Sequence, residues 1–198
     1  MKGVIILQTL QKYLKNLIVR NKNIAIATIF VYILSLIAIF TITFCTNISK
    51  LPDVSDIYEK SVSFFNVFIH NIVLVIQNIF LGLITLGIYG LYVLIQNVIA
   101  LGSISNSLIS HSMIIFVYKM IPHGLIELLG MSYSVVIPYV LYIRGFNAFV
   151  KVTKREEKLL SELIKLGLFI LRSIIFLVIL FFIAAIVEVI VSRIKFMN

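Results

Sequence analysis

Charge is scarce in this chain. Only 13% of its 198 residues are Asp, Glu, Lys or Arg, about half the share of an ordinary soluble domain. Acid is scarcer still, with 8 Asp and Glu against 17 Lys and Arg and none before Asp53. There is one cysteine, Cys45, which excludes an internal disulfide framework and any zinc site built on thiolates. Cys45 reads as a small apolar residue at a helix end. Also missing are a phosphate-binding loop, a Gly-rich nucleotide fingerprint, a nucleophile elbow and a His-Glu-x-x-His pair. Catalysis is therefore not indicated, and no cofactor is expected.

Apolar residues fill the gap. The chain is 61% hydrophobic with a mean hydropathy of +1.13, and several runs exceed the roughly 18 residues that mark a bilayer span. The pattern predicts an all-α, polytopic transmembrane helical bundle, one integral membrane domain over residues 1–198. A net charge of +9 raises the question of nucleic acid. Most of the bases flank apolar spans, however, and no reading motif accompanies them. Their natural partner is the anionic face of a lipid bilayer.

Along the chain, residues 1–22 carry Lys2, Lys12, Lys15, Arg20 and Lys22 around a helical stripe of Val4, Leu7, Leu10, Leu14, Leu17 and Ile18. This predicts an amphipathic helix lying on the cytoplasmic surface. Gln8, Thr9 and Gln11 interrupt the place where the apolar core of a cleavable signal would run. Five spans follow, at about 24–45, 70–90, 91–109, 122–142 and 166–191. The polar stretch Thr46–Lys60 is mildly acidic and is expected outside. The segment from Gly102 to Lys119 is rich in Ser and Asn and is expected to be interfacial. Pro122 suits a first helical turn, where its missing N–H costs nothing, and Pro138 is expected to kink the fourth span. Residues 144–165 form a loop with Lys151, Lys154, Arg155 and Lys158, expected in the cytoplasm together with the basic N-terminal arm. Five spans then place the N-terminus inside and the C-terminus outside a bacterial plasma membrane.

That topology sorts the polar residues by depth. His123 and Glu127 are four apart and share a helix face in the first turns of the fourth span. Glu188 falls in the outer part of the fifth, and His70 and Asn71 open the second. An intramembrane polar core of His70, Asn71, His123, Glu127 and Glu188 is thus expected at one level. Carboxylates at that depth cost about 3 kcal/mol on insertion scales, so they face the bundle interior and find partners. Gly124 is expected to allow close packing. Gln96, Asn97 and Arg172 form an inner set, Arg172 snorkelling towards headgroups. One His and two carboxylates without ligand spacing do not make a metal site.

Pro122-His-Gly-Leu-Ile-Glu127 resembles the Pro-His-Gly-x-x-Glu signature of the stage II sporulation protein M family. Asn71 to Gly102 resembles that family's glycine-punctuated second and third spans, and Ala184-Ala-Ile-Val-Glu188 the ending of its last span. Asn97-Val98 stands where the family usually has Asn-Gly, and Leu-Gly-Met-Ser-Tyr follows Leu128 in place of a Pro-Ala run, which marks a divergent member. The resemblance implies a non-enzymatic membrane protein that organises cell-wall hydrolases during engulfment. Alternatively, as in other relatives, it implies a subunit working with an ABC ATPase in bacteriocin export or immunity. It also implies that His123, Glu127 and Glu188 form the family's polar core. Self-association is left open.

Overall fold

The computed structural model describes residues 22–45, 63–155 and 158–193. The expected amphipathic helix at the N-terminus, up to residue 21, and the polar stretch after the first span lie outside those residues. Every element described is helical: α1 (Lys22–Cys45), α2 (Phe64–Ile84), α3 (Ile88–His111), α4 (Met113–Thr153) and α5 (Leu159–Ser192). All five are long and apolar enough to cross a membrane, and large apolar side chains such as Phe30, Phe40, Phe80, Leu171 and Ile179 cover the outside of the bundle. A chain with this surface is a multi-pass membrane protein.

Inside these helices several hydroxyl side chains bond back to their own backbone. Ser35 Oγ donates to the Val31 carbonyl at 2.9 Å and Thr41 Oγ1 to Ile37 at 2.9 Å. For these groups it meets the demand that no polar group be left bare in hydrocarbon, whereas Thr28 Oγ1 and Ser132 Oγ are buried with no partner among the described residues. It also explains why α3 does not stop at Ile104. Ser105 Oγ donates to Leu101 at 2.7 Å and Ser110 Oγ to Asn106 at 2.9 Å. The Ser-rich segment expected at the interface is therefore a regular continuation of α3 to His111. At Ser112 the backbone becomes extended (φ −163°, ψ 120°), and α4 begins at once.

Two other boundaries differ from the sequence reading. The turn between α2 and α3 falls at residues 85–87, ahead of the expected boundary at 90 and 91. Leu86 and Gly87 have φ of 54° and 88°, and the Gly87 N–H donates to the Gly82 carbonyl at 2.6 Å. A positive φ suits glycine, and any side chain at Gly87 would run into the Tyr139 ring. Gly90 instead sits inside α3, against Val135. Second, much of the expected loop 144–165 is helix: α4 continues to Thr153 and α5 starts at Leu159.

α4 is the hub. It packs against α1, α2, α3 and α5, whereas α1 touches chiefly α3 and α4. More than half of its most apolar stretch is buried, against a third or less in the other helices. It runs without interruption through Pro138, whose ring packs against Gly82. α2 and α4 are parallel in a register of 56 residues, seen in Asn71–Glu127, Asn78–Ser134 and Gly82–Pro138. α4 and α5 are antiparallel, through Gly130 against Phe181, Tyr133 on Ser173 and Arg144 over the Phe169 ring at 4.0 Å.

The bundle has two ends. At the proximal end α1 begins, α2 turns into α3, and α4 passes into α5. At the distal end α2 and α4 begin and α5 finishes. A hydrocarbon core is about 30 Å thick and a helix rises ~1.5 Å per residue. α2, with 21 residues, matches that thickness. α4 and α5, with 41 and 34 residues, exceed it and project past the α2–α3 turn as a helical hairpin.

Candidate functional site

Several polar side chains of the distal half meet on α4. Asn71, buried on α2, donates from Nδ2 to Glu127 Oε1 at 2.7 Å. Seven residues further along both helices, Asn78 Nδ2 donates to Ser134 Oγ at 3.1 Å, and Ser134 Oγ in turn donates to the Met131 carbonyl at 2.7 Å. Both Asn78 and Ser134 are wholly buried. The α2–α4 pair is completed near the proximal end, where Tyr142 Oη donates to the Leu83 carbonyl. Parallel helices held by hydrogen bonds at three levels can neither slide nor rotate without leaving a donor bare in an apolar medium.

α1 and α3 are tied in the same manner. Thr43 Oγ1 donates to the Gly102 carbonyl at 3.3 Å as well as to Ile39 at 2.8 Å. Asn106 Nδ2 donates to the Thr43 carbonyl at 2.6 Å. Between α4 and α5 the tie is Tyr133 Oη with Ser173 Oγ at 3.1 Å.

The remaining residues singled out by the sequence are distributed as follows. His123 is largely buried. Its Nδ1 lies beside the Lys119 carbonyl but outside well-aligned hydrogen-bond geometry. Glu188, half-buried on α5, is close enough to Glu127 for the two carboxylates to sense each other's charge. His70 is exposed although its neighbour Asn71 is buried, because consecutive helical residues point about 100° apart. Asn97 donates to its own helix, at Val93, at 2.9 Å, while Gln96 and Arg172 are exposed. These three do not come together with the distal group. Lys151, Lys154, Arg155 and Lys158 are exposed on the projecting hairpin, where Lys165 Nζ and Glu162 Oε1 form an ion pair at 2.6 Å.

Pro122 stands in the first turn of the regular α-helix Ile121–Thr153, as expected, but that helix continues an earlier start. α4 begins at Met113, and residues Phe116–Met120 form a π-helical turn. The Ile121 N–H donates to the Phe116 carbonyl, five residues back. The wider register immediately precedes Pro122, which has no N–H of its own to place. Sequence reasoning missed this turn, and it missed Asn78–Ser134. A signal for the second existed: Asn71 and Asn78 are seven residues apart, as are Glu127 and Ser134, so each pair lies on one helix face.

Glu188 gives an immediate prediction. Its carboxylate makes no hydrogen bond among the described residues, although it is half-buried. Glu188→Gln is expected to leave the melting temperature of the detergent-solubilised protein unchanged or slightly raised. A drop as large as that from cutting the Asn71–Glu127 bond would show that Glu188 is held by a partner within the bundle.

Chemically, this arrangement fastens helices. Among the described residues no three His, Cys, Asp or Glu side chains gather to hold a metal ion. Comparison with known proteins bears on the same helices. The family model described as stage II sporulation protein M matches residues 24–193, from the first turn of α1 to the end of α5. No curated protein and no solved structure matches the chain. With a match that spans all five helices and includes the α4 segment bearing His123 and Glu127, the chain belongs to the stage II sporulation protein M family.

Proposed function

We propose that this protein is a non-enzymatic scaffold of the bacterial plasma membrane that recruits partner proteins into a complex. In sporulating members of the family, those partners are the cell-wall hydrolases of engulfment. The observation that supports this reading is the use made of the intramembrane polar groups. Asn71, Glu127, Asn78, Ser134, Tyr133 and Ser173 bond to one another across helices. They make a rigid frame on which partners can be placed, in the way that interhelical hydrogen bonds fix helix pairs in other membrane proteins. The N-terminus and the projecting hairpin then lie in the cytoplasm, because that end carries Lys22, Lys151, Lys154, Arg155 and Lys158. Crosslinking in native membranes followed by detergent purification is expected to recover a peptidoglycan hydrolase or another membrane protein in constant proportion. Recovery of this chain alone, as a stable monomer, would overturn the reading.

A second reading, a membrane subunit that works with an ABC ATPase in bacteriocin export or immunity, is favoured by the projecting hairpin itself. Its exposed bases stand beyond the α2–α3 turn, within reach of a cytoplasmic protein. Charge reversal at Lys154, Arg155 and Lys158 is expected to abolish ATPase association and peptide resistance under this reading. If both persist, the hairpin is only a solvated connection and the reading falls.

A further inference from the structure

A cavity of about 390 Å³ lies between α1, α3 and α4 in the distal half of the bundle. Leu36, Phe40, Leu101, Met120, Gly124 and Leu128 are among the residues that line it. Two hydroxyls also reach the wall, and both are already engaged. Thr43 Oγ1 donates to Ile39 and Gly102, and Ser105 Oγ donates to Leu101 and lies 3.3 Å from Met120 Sδ. Among the described lining residues, neither hydroxyl has a donor hydrogen left to offer a polar ligand. The volume is at the small end of the roughly 300–1,000 Å³ range of ligand clefts. Phe40, Phe44 and Leu125 line the cavity and are also exposed on the outside of the bundle, so it opens sideways, where the hydrocarbon of the bilayer stands.

Gly124 is the telling residue. Glycines at helix contacts in this protein are there because a neighbour is close: at Gly130 an added Cβ would lie 2.5 Å from Phe181, and at Gly102 2.7 Å from Ile42. At Gly124 it would meet nothing nearer than 4.0 Å, the distance to Leu101 Cδ2 and Met120 Cγ. Gly124 is buried yet is not closing a helix–helix contact, contrary to the close packing expected of it. It leaves room. The same wall contains Phe116 and Met120, the first and last residues of the π-helical turn, and such turns are frequent at functional sites.

We propose that this cavity is a binding site for a single lipid acyl chain, kept open by Gly124 and shaped by the π-helical turn. The inference stands apart from the scaffold reading, since a lipid-filled site serves either kind of partner. Its occupant is an acyl chain because the described lining is apolar apart from two hydroxyls that already donate, and because the mouth opens sideways out of the bundle, where the bilayer stands. A bound chain supplies the dispersion contacts that α1 lacks in its distal half, where it would otherwise face a void. Gly124→Leu sends a side chain into the cavity without backbone strain, since the position is ordinary helix. Unlike most cavity substitutions, it preserves or improves the fold while evicting the ligand.

The test uses the full-length protein in nanodiscs containing a phosphatidylethanolamine with a photoactivatable group in one acyl chain. Labelled residues are mapped by mass spectrometry. Wild type is expected to label at cavity residues such as Leu101 and Met120, and to keep that label when the probe lipid is diluted. Labelling at exposed Phe30 and Ile179 should dilute in proportion. In Gly124→Leu the cavity label should be lost, the exposed label unchanged, and the melting temperature equal to or above wild type. A cavity label that dilutes like the exposed one, or that survives in Gly124→Leu, overturns the proposal. So does a crosslink from Met120 to a second polypeptide in native membranes, which would assign the cavity to a partner's side chain.

Discussion

Gly130→Val should destabilise this protein more than any other single replacement of a helix glycine in α4 or α5. A Cβ there would lie 2.5 Å from Cζ of Phe181 and 3.2 Å from Cδ2 of Leu180. Phe181 is wholly buried, so its ring has no free space to turn into, and the clash must be relieved by parting α4 from α5. Overpacking of this kind costs about 1–3 kcal/mol, sometimes more. In a membrane it is felt fully, because tight packing is a main force holding helices together. Thermal unfolding in detergent, monitored by circular dichroism, is the measurement. Gly145→Ala and Gly167→Ala are the controls, since an added Cβ at either has nothing within 4 Å. Each should be neutral or stabilising by up to ~1 kcal/mol through helix propensity. Adding Phe181→Leu to the Gly130→Val protein should recover part of the loss. If all three glycine variants melt together, the Gly130–Phe181 contact does not set the α4–α5 distance.

Cutting the bond between Asn71 and Glu127 is the second large effect expected. In Asn71→Leu the Glu127 carboxylate stays in place, part-buried on the helix that packs against all four others, and loses its 2.7 Å donor. A buried acceptor left bare costs about 1–3 kcal/mol, and more if charged, whereas intramembrane hydrogen bonds average only ~0.6 kcal/mol in double-mutant cycles. The expected loss is therefore about 1–2 kcal/mol, from the orphaned group more than from the bond. Glu127→Gln should be milder, because the amide oxygen can still accept from Asn71. The double variant Asn71→Leu with Glu127→Leu should lose less than the sum of its single changes. Strict additivity would mean that the two side chains do not stabilise the bundle through each other. The scaffold reading adds a further expectation: partner recovery should fall in step with bundle stability in Asn71→Leu. Loss of partner recovery without a change in melting would point elsewhere.

The residues that carry the site were only partly legible. Glu127 stands out in the sequence because a carboxylate in an apolar helix is costly and must be answered. Asn71 stands out for the same reason at the opening of a span. Their meeting required a register, and a register of 56 residues between parallel helices depends on how Gly82 seats the ring of Pro138. His70 shows the limit of depth alone, since it lies level with Asn71 and points away from it. Gly124 shows the limit of residue type. A glycine in an apolar helix suggests close approach, and only the surrounding helices reveal that nothing approaches.

Composition and periodicity by themselves determined that this chain is an all-helical membrane bundle with five spans. That conclusion depends on transfer free energy and on satisfying backbone hydrogen bonds within each segment, both local quantities. The Pro-His-Gly-x-x-Glu segment likewise determined the family, because it is contiguous. Tertiary structure decided which helix is central, where the hinges between helices fall and which polar residues meet. Those outcomes depend on packing between segments far apart in sequence, where a small side chain on one helix is matched to a large one on another. No single stretch of sequence carries that match.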